Sequence, residues 1–131
     1  MPLWIQILPG SGEPIYVQVA EQISKAIARG ELASGDKLPA VRKLASELVI
    51  NPNTVARAYS RLEQAGLVIT KTGSGTFVSD PKFRKADAAD INALTERMDT
   101  VISRSLNLGI EPKDLIKIFK ERLNKFENKQ K

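Results

Sequence analysis

The feature that most constrains the fold is a short break, at residues 49–52, between two amphipathic helical patterns. Apolar side chains recur at helical spacing before the break, at Val41, Leu44, Ala45 and Leu48, and again after it, at Val55, Ala58, Tyr59 and Leu62. Asn51 is a favourable N-cap and Pro52 suits the first helical position, so the second helix is predicted to begin directly after the break. Two helices joined by so short a turn form a helix-turn-helix unit.

The segments on either side of this unit predict a winged helix. A preceding helix is predicted to begin at Pro14 and to end near Gly30, with an apolar face formed by Tyr16, Val19, Ala20, Ile23 and Ile27. Two β-prone segments follow the unit, at residues 67–71 and 76–78, and the Gly-rich turn between them predicts a β-hairpin. A further short strand is predicted at residues 3–7.

The C-terminal part predicts a second, helical domain. Residues 80–86 are polar and contain Pro81, which is typical of a linker. Two helices are predicted beyond it, the first closed by Gly109 and the second opened by Pro112. Disorder is predicted from Asn128 onward. The whole is therefore a mainly α fold with a small β-hairpin (α+β), in which a winged helix-turn-helix domain at 1–79 precedes a two-helix dimerisation domain at 87–131.

The apolar faces of the last two helices predict self-association. They consist of Ile91, Leu94, Met98, Val101 and Ile102 in the first helix, and of Ile116, Phe119, Leu123 and Phe126 in the second. A two-helix hairpin leaves part of such faces wet, and a closed two-fold dimer is the commonest way to cover them. The predicted interface is Ile91, Leu94, Met98, Val101, Ile102, Ile116, Phe119 and Leu123. The alternative is packing onto the first helix of the same chain, which would give a monomer.

The composition argues against catalysis and metal binding. The 131 residues include no His and no Cys, which removes the commonest general base, the commonest metal ligand and the thiol nucleophile. We therefore expect no enzyme, no catalytic residues, no cofactor and no metal. No apolar run approaches the roughly 20 residues that span a bilayer, and the start of the chain lacks the segments of a signal peptide. We expect a cytoplasmic protein with no membrane partner.

The charge distribution favours a nucleic-acid partner. The net charge is +5, and residues 40–78 hold five basic side chains against two acidic ones. The helix after Asn51 presents Asn53, Thr54, Arg57, Ser60 and Arg61 away from its apolar face, and such side chains can read base edges in a major groove. The small turn after Lys71 can enter a minor groove or lie against phosphates. The alternative is an ordinary solvated face and a turn whose glycines serve only the hairpin.

Five segments resemble the GntR family of bacterial transcriptional regulators, in the correct order and spacing over residues 13–79. They are residues 14–18 (PIYVQ), 35–45 (GDKLPAVRKLA), 51–59 (NPNTVARAY), 62–67 (LEQAGL) and 73–78 (GSGTFV). The resemblance implies a sequence-specific, operator-binding winged-helix domain with DNA contacts from its second and third helices and its wing. The resulting candidates for DNA contact are Arg42, Asn51, Asn53, Thr54, Arg57, Arg61, Lys71, Gly73, Ser74 and Gly75. Many relatives carry Arg where this chain has Ala56, so either Ala56 or Arg57 can face the bases.

The short C-terminal segment is similar to that of the YtrA-type subfamily, whose helical tails dimerise and whose targets are often transporter operons. The resemblance implies a homodimeric repressor of such an operon that binds a two-fold symmetric, double-stranded DNA operator. No motif identifies a small-molecule effector, whose pocket would have to lie between the domains or at the dimer interface. An architectural or RNA-binding module is the alternative; a regulator should prefer its own operator over random DNA by about 10³-fold or more.

Overall fold

The structure, a computed structural model, describes residues 5–129 and shows helices flanking one β-hairpin. The elements are α1 (Ile15–Ala28), α2 (Val41–Leu48), α3 (Pro52–Gln64), β1 (Val68–Lys71), β2 (Gly75–Val78), a 3₁₀ turn (Pro81–Phe83), α4 (Ala88–Asn107) and α5 (Pro112–Lys129). The chain divides into two compact units, the first ending at Arg84 and the second beginning at Lys85. This division falls inside the segment predicted to be a linker.

The core of the first unit lies where α3 packs against both α1 and α2. The side chains with almost no exposure come from all three helices, from β1 and from the segment before α2: Val19 and Ile23 from α1, Leu38 from the segment before α2, Leu44 from α2, Val55 from α3 and Val68 from β1. Burial of each such side chain contributes roughly 1.5–3 kcal/mol. Because the helical members of this set are apolar positions of the predicted patterns, the three predicted helices are confirmed. The sequence also places Pro39 near the first turn of α2, but this helix begins only at Val41.

The hairpin gains a third stretch of chain that the sequence analysis does not predict. β1 and β2 pair antiparallel, with Val68 opposite Val78. Residues 35–38 then pair with the free edge of β2, since the Val78 amide donates to the Asp36 carbonyl at 2.8 Å and the Leu38 amide donates to the Thr76 carbonyl at 2.8 Å. The wing is therefore attached to the chain that leads directly into α2.

The prediction of a strand at residues 3–7 is wrong over residues 5–7, while Leu3 and Trp4 lie outside the described residues. Two glutamine side chains of α1 replace a strand partner. The Gln22 carboxamide accepts from the Gln6 amide at 2.9 Å and donates to the Gln6 carbonyl at 2.8 Å, and Gln18 makes the same pair of bonds with Leu8. Backbone groups that a sheet would pair are thus satisfied by α1.

The second unit consists of α4 and α5. The N-terminus of α4 is fixed by a capping box between Asp87 and Asp90, and its C-terminus by Gly109 at φ 82°. α5 begins at Pro112, as predicted, and extends to Lys129, so the predicted disorder is wrong for Asn128 and Lys129; Gln130 and Lys131 lie outside the described residues. The two helices share few contacts with each other, so their apolar side chains do not cover one another along the helices.

No helix within residues 5–129 is both long enough and apolar enough to cross a membrane.

Candidate nucleic-acid interface

The turn between α2 and α3 is built by a left-handed residue and a side-chain cap. Val49 has φ 56° and ψ 52°, which turns the chain sharply and lets the Ile50 amide donate to the Ala45 carbonyl at 3.0 Å. The Asn51 side-chain oxygen then accepts from the Asn53 amide at 2.8 Å and caps α3. The predicted start of α3 at Pro52 is confirmed.

A buried tyrosine ties α3 to the chain before α2. The Tyr59 hydroxyl donates to the Pro39 carbonyl at 2.7 Å. Burial raises the pKa of the Tyr59 phenol well above its usual range, and the nearby charge of Glu47 raises this pKa further. The phenol is therefore protonated and a hydrogen-bond donor at neutral pH, which fixes the start of α2 against α3.

The residues at the centre of the exposed face of α3 differ slightly from the predicted set. Asn53, Arg57, Ser60 and Gln64 are all exposed and recur at spacings of four, three and four, directly opposite the buried face. Thr54, which is predicted to lie away from the apolar face together with Arg57 and Arg61, is half-buried because it lies closer to the packed side of the helix. Gln64 is thus a candidate that the prediction of contact residues missed, although its helical spacing could have identified it.

One polar atom of the Asn51 side chain is already used in a hydrogen bond within the fold. Its side-chain oxygen is the acceptor of the α3 cap, which leaves the side-chain NH₂ group as the part free to meet a ligand. Its predicted DNA contact would therefore come mainly from hydrogen-bond donation by this NH₂ group.

The Arg57 side chain turns toward α1 rather than straight out from α3. Its Cζ atom lies 4.0 Å from the centroid of the Tyr16 ring, a stacked cation–π contact. Both Ala56 and Arg57 are exposed, but the guanidinium of Arg57 is held at the side of α3 where α1 lies.

The tip of the wing is a tight turn that requires glycine. The Ser74 amide donates to the Lys71 carbonyl at 2.9 Å, and Gly73 between them has φ 81°, which side chains rarely adopt. Gly75 has φ 123°, and a Cβ atom there would lie 2.7 Å from Cε of Lys37. The aliphatic part of Lys37 therefore lies against the wing beside its tip, where Gly75 leaves room.

Two lysines flank the wing. The Lys71 Nζ lies 5.0 Å from the centroid of the Phe77 ring, and Lys37 pairs with Phe77 across an isolated β-bridge. Lys71 is among the predicted contact residues, whereas Lys37 is not, because it lies more than 30 residues before Lys71 in the sequence. Only the pairing of residues 35–38 with β2 brings them together.

The basic side chains of this face are left without acidic partners. Lys37, Arg42, Lys43 and Arg61 are exposed and form no ion pair with any other residue in the described range 5–129. Their charge is thus free to meet an anionic ligand such as a DNA phosphate. In the same part of the chain, no group of acidic side chains is arranged to hold a metal ion.

The residues predicted to form a dimer interface are all exposed in the single chain. Exposure lies between 43% and 58% for Ile91, Leu94, Met98, Val101, Ile102, Ile116, Phe119 and Leu123. Phe126 is half-buried. α4 and α5 therefore leave these apolar side chains uncovered within their own unit.

This fold, with an outward polar face on α3 and a basic wing, is that of a winged-helix DNA-binding protein. The chain belongs to the GntR family, since the model for "Bacterial regulatory proteins, gntR family" matches residues 15–78 and the relatives described next match most of the chain. It is a DNA-binding transcriptional regulator of this family and not an enzyme, as the sequence analysis predicts.

The similarity to relatives in *Bacillus subtilis* extends beyond the winged helix. The chain is 36% identical over 117 residues to the HTH-type transcriptional repressor YtrA, covering 89% of this chain and 90% of YtrA. It is 37% identical over 106 residues to the HTH-type transcriptional regulator YhcF, covering 81% of this chain and 87% of YhcF. The predicted resemblance to YtrA-type regulators is confirmed.

Solved structures agree with this assignment. A transcriptional antiterminator from *Listeria monocytogenes* EGD-e has a TM-score of 0.82 at 28% identity, over 94% of this chain and 92% of that one. YtrA from *Sulfolobus acidocaldarius*, a GntR-family transcription factor, has a TM-score of 0.60 at 35% identity, over 79% and 97%. The DNA-binding domain of AraR in complex with operator ORX1 has a TM-score of 0.51 at 31% identity, over 59% and 93%.

Proposed function

We propose that the protein is a homodimeric repressor that binds a two-fold symmetric operator in double-stranded DNA. The observation that carries this proposal is that one chain has two different exposed surfaces, each suited to a different partner. One is the unneutralised basic and polar face of α2, α3 and the wing, and the other is the uncovered apolar face of α4 and α5. The first fits a DNA duplex, and the second fits a further copy of this chain.

The first surface supports docking of α3 in the major groove. A major groove admits one α-helix, and the first turn of such a helix comes nearest to the bases. In α3 that turn holds Asn53, an exposed side chain that can donate to and accept from an adenine edge. Arg42, exposed in the first turn of α2, has a guanidinium that can bind guanine in the bidentate manner.

The wing supports a second contact with the same duplex. The hairpin has a narrow tip, formed by Gly73, Ser74 and Gly75. Positive charge lies directly beside this tip, from Lys71 and Lys37. A tip of this size fits against the backbone or into the minor groove, where its lysines would meet phosphates.

The second surface supports a dimer. An apolar side chain that is about half exposed has not yet been fully removed from water. Burying the rest of it against a partner would contribute further favourable transfer free energy. Ten such side chains lie along α4 and α5, the eight of the predicted interface together with Leu106 and Ile118, and a monomeric protein does not commonly expose so many in one segment. Two copies related by a two-fold axis would present two α3 helices to half-sites about 10 bp apart, or a multiple of that spacing.

The biological setting follows from the relatives. YtrA and NagR of *B. subtilis* are named as transcriptional repressors, which supports repression here. The proposal also includes control of a transporter operon, which the YtrA-type resemblance implies. The protein would act in the cytoplasm.

Selection from a random duplex library tests operator recognition. The wild-type protein should enrich an inverted repeat and bind it about 10³-fold or more tightly than a duplex of arbitrary sequence at the same salt concentration. An architectural protein would enrich no sequence. Enrichment of a single half-site without symmetry would contradict the two-fold operator.

A further inference from the structure

Arg57 lies at the centre of the exposed face of α3, yet its charged end is not directed along that face. The guanidinium stacks on the Tyr16 ring, with its Cζ atom 4.0 Å from the ring centroid. Tyr16 is the second residue of α1, which packs beside α3. The side chain is therefore drawn to the flank of the recognition helix.

The hydrogen-bonding groups of Arg57 remain available in this position. A guanidinium has five N–H donors in one plane, and stacking on a ring occupies its face but not its edge. The guanidinium of Arg57 forms no ion pair and no hydrogen bond with any residue in the range that the structure describes. A planar, permanently charged edge of this kind matches the oxygens of a phosphate.

Tyr16 is held firmly enough to act as a support. It is half-buried and packs against the hydrophobic core of the first unit. A long, flexible arginine that rests on such a ring has fewer conformations before it binds, so less entropy is lost when it contacts a ligand. The ring thereby orients the charge without making contact with the ligand itself.

We propose that Arg57 binds a DNA backbone phosphate beside the groove and that Tyr16 is the positioning residue that holds it there. This inference rests on the proposed binding of DNA through α3. It assigns base reading on α3 to neighbouring positions, of which Asn53 carries hydrogen-bonding groups and Ala56 can make only apolar contact. Arg57 then contributes affinity for every sequence rather than preference for one.

The salt dependence of binding to a labelled duplex of arbitrary sequence tests the phosphate contact. Arg57→Ala should lower this affinity and reduce the slope of log K against log salt by about 0.9 per protomer, because one phosphate contact is lost. Arg57→Lys should retain the slope. The matched control is Lys25→Ala, which removes one exposed positive charge from the last turn of α1 and should leave both quantities nearly unchanged. An unaltered slope in Arg57→Ala would overturn the proposal.

A double-mutant cycle on the same duplex tests the role of Tyr16. Tyr16→Leu should weaken binding by about two- to ten-fold per protomer, because the freed Arg57 side chain must then be ordered on binding, while Tyr16→Phe should not. In the Arg57→Ala background, Tyr16→Leu should have no effect. Equal weakening in both backgrounds would show that Tyr16 only maintains the fold and would refute its positioning role. Tyr16→Met is the second variant if Tyr16→Leu lowers the thermal midpoint.

The two proposals fail in distinguishable ways. If wild-type protein selects no sequence from the random library, operator recognition is refuted, while the salt slopes on arbitrary DNA still decide the role of Arg57. If wild-type protein selects an operator but Arg57→Ala changes sequence preference without changing the slope, Arg57 reads bases and only the phosphate assignment is refuted.

Discussion

The hydroxyl of Tyr59 in α3 donates a 2.7 Å hydrogen bond to the carbonyl oxygen of Pro39, two residues before α2 begins. This bond spans 20 residues of sequence and joins the recognition helix to the segment that positions Arg42. The same segment pairs with β2 through residues 35–38. One stretch of chain therefore connects α2, α3 and the wing, the three elements proposed to contact DNA.

Removal of this hydroxyl should reduce stability. Tyr59→Phe should lower the free energy of unfolding by about 1 kcal/mol, because the partly buried Pro39 carbonyl loses its donor. Urea unfolding followed by circular dichroism measures the change. Tyr16→Phe is the matched control, since Tyr16 is also half-buried but its hydroxyl makes no hydrogen bond with another described residue; an equal loss in both variants would contradict the assigned bond.

The same bond predicts a pH dependence. The folded state raises the pKa of Tyr59 above the value near 10 that it has when unfolded, so its contribution is complete below about pH 10 and is lost as the pH rises further. Phe at this position does not titrate. The difference in stability between wild type and Tyr59→Phe should therefore be constant near neutral pH and narrow above about pH 10.

Val49 in the helix-turn-helix turn should be a site where substitution stabilises the protein. It is 87% exposed, so it gains little from burial, and its φ of 56° is unfavourable for a β-branched side chain by roughly 1–2 kcal/mol. Val49→Asn or Val49→Gly should raise the free energy of unfolding by about 1 kcal/mol. Val49→Thr keeps a β-branched side chain and serves as the control; if Thr stabilises as much as Gly, the strain of a β-branched residue at positive φ is not the cause.

Arg42 should contribute to sequence preference. It is exposed and without an ionic partner in the described range, so Arg42→Ala should leave the fold intact. Loss of a bidentate contact with guanine should cost about 1–3 kcal/mol of binding free energy on the selected operator and relax the preference at one base pair. Fluorescence anisotropy with the selected duplex and with single-base variants measures both. An equal loss on every variant would indicate a phosphate contact instead.

The wing lysines should behave as backbone ligands. Lys37→Ala and Lys71→Ala should each reduce the salt slope of binding by about 0.9 per protomer, on operator and arbitrary DNA alike. Lys25→Ala again controls for the loss of one charge. A slope that changes in Lys71→Ala but not in Lys37→Ala would show that the lysine beside Gly75 does not reach the DNA.

The sequence predicts the elements here better than their long-range contacts, for physical reasons. Helical periodicity, the Asn51 cap and Pro52 are local signals, so α3 could be placed within a residue of its bounds. The stack of Arg57 on Tyr16 and the approach of Lys37 to Gly75 join residues about 40 positions apart, and no local pattern encodes them. The failed strand at residues 5–7 has the same origin, because Gln18 and Gln22 satisfy that backbone from another element.

The apolar faces of α4 and α5 should hold the dimer together. Leu94 and Met98 are 54% and 43% exposed in the single chain, and a partner would bury them. The double variant Leu94→Asp/Met98→Asp would therefore place two charges in the interface. A charge in such an interface costs several kcal/mol unless it is paired, so the dimer should dissociate. Sedimentation equilibrium at micromolar concentration should change from twice the chain mass to 14.4 kDa.

The control for this experiment adds the same charges to the polar side of α4. Asn92→Asp combined with Thr100→Asp lies away from the apolar face and should leave the dimer mass unchanged. Dissociation should also weaken operator binding more than binding to a half-site, because two α3 helices would no longer be joined. A wild-type mass of 14.4 kDa, or an unchanged dimer in Leu94→Asp/Met98→Asp, would contradict the assignment of α4 and α5 to the interface.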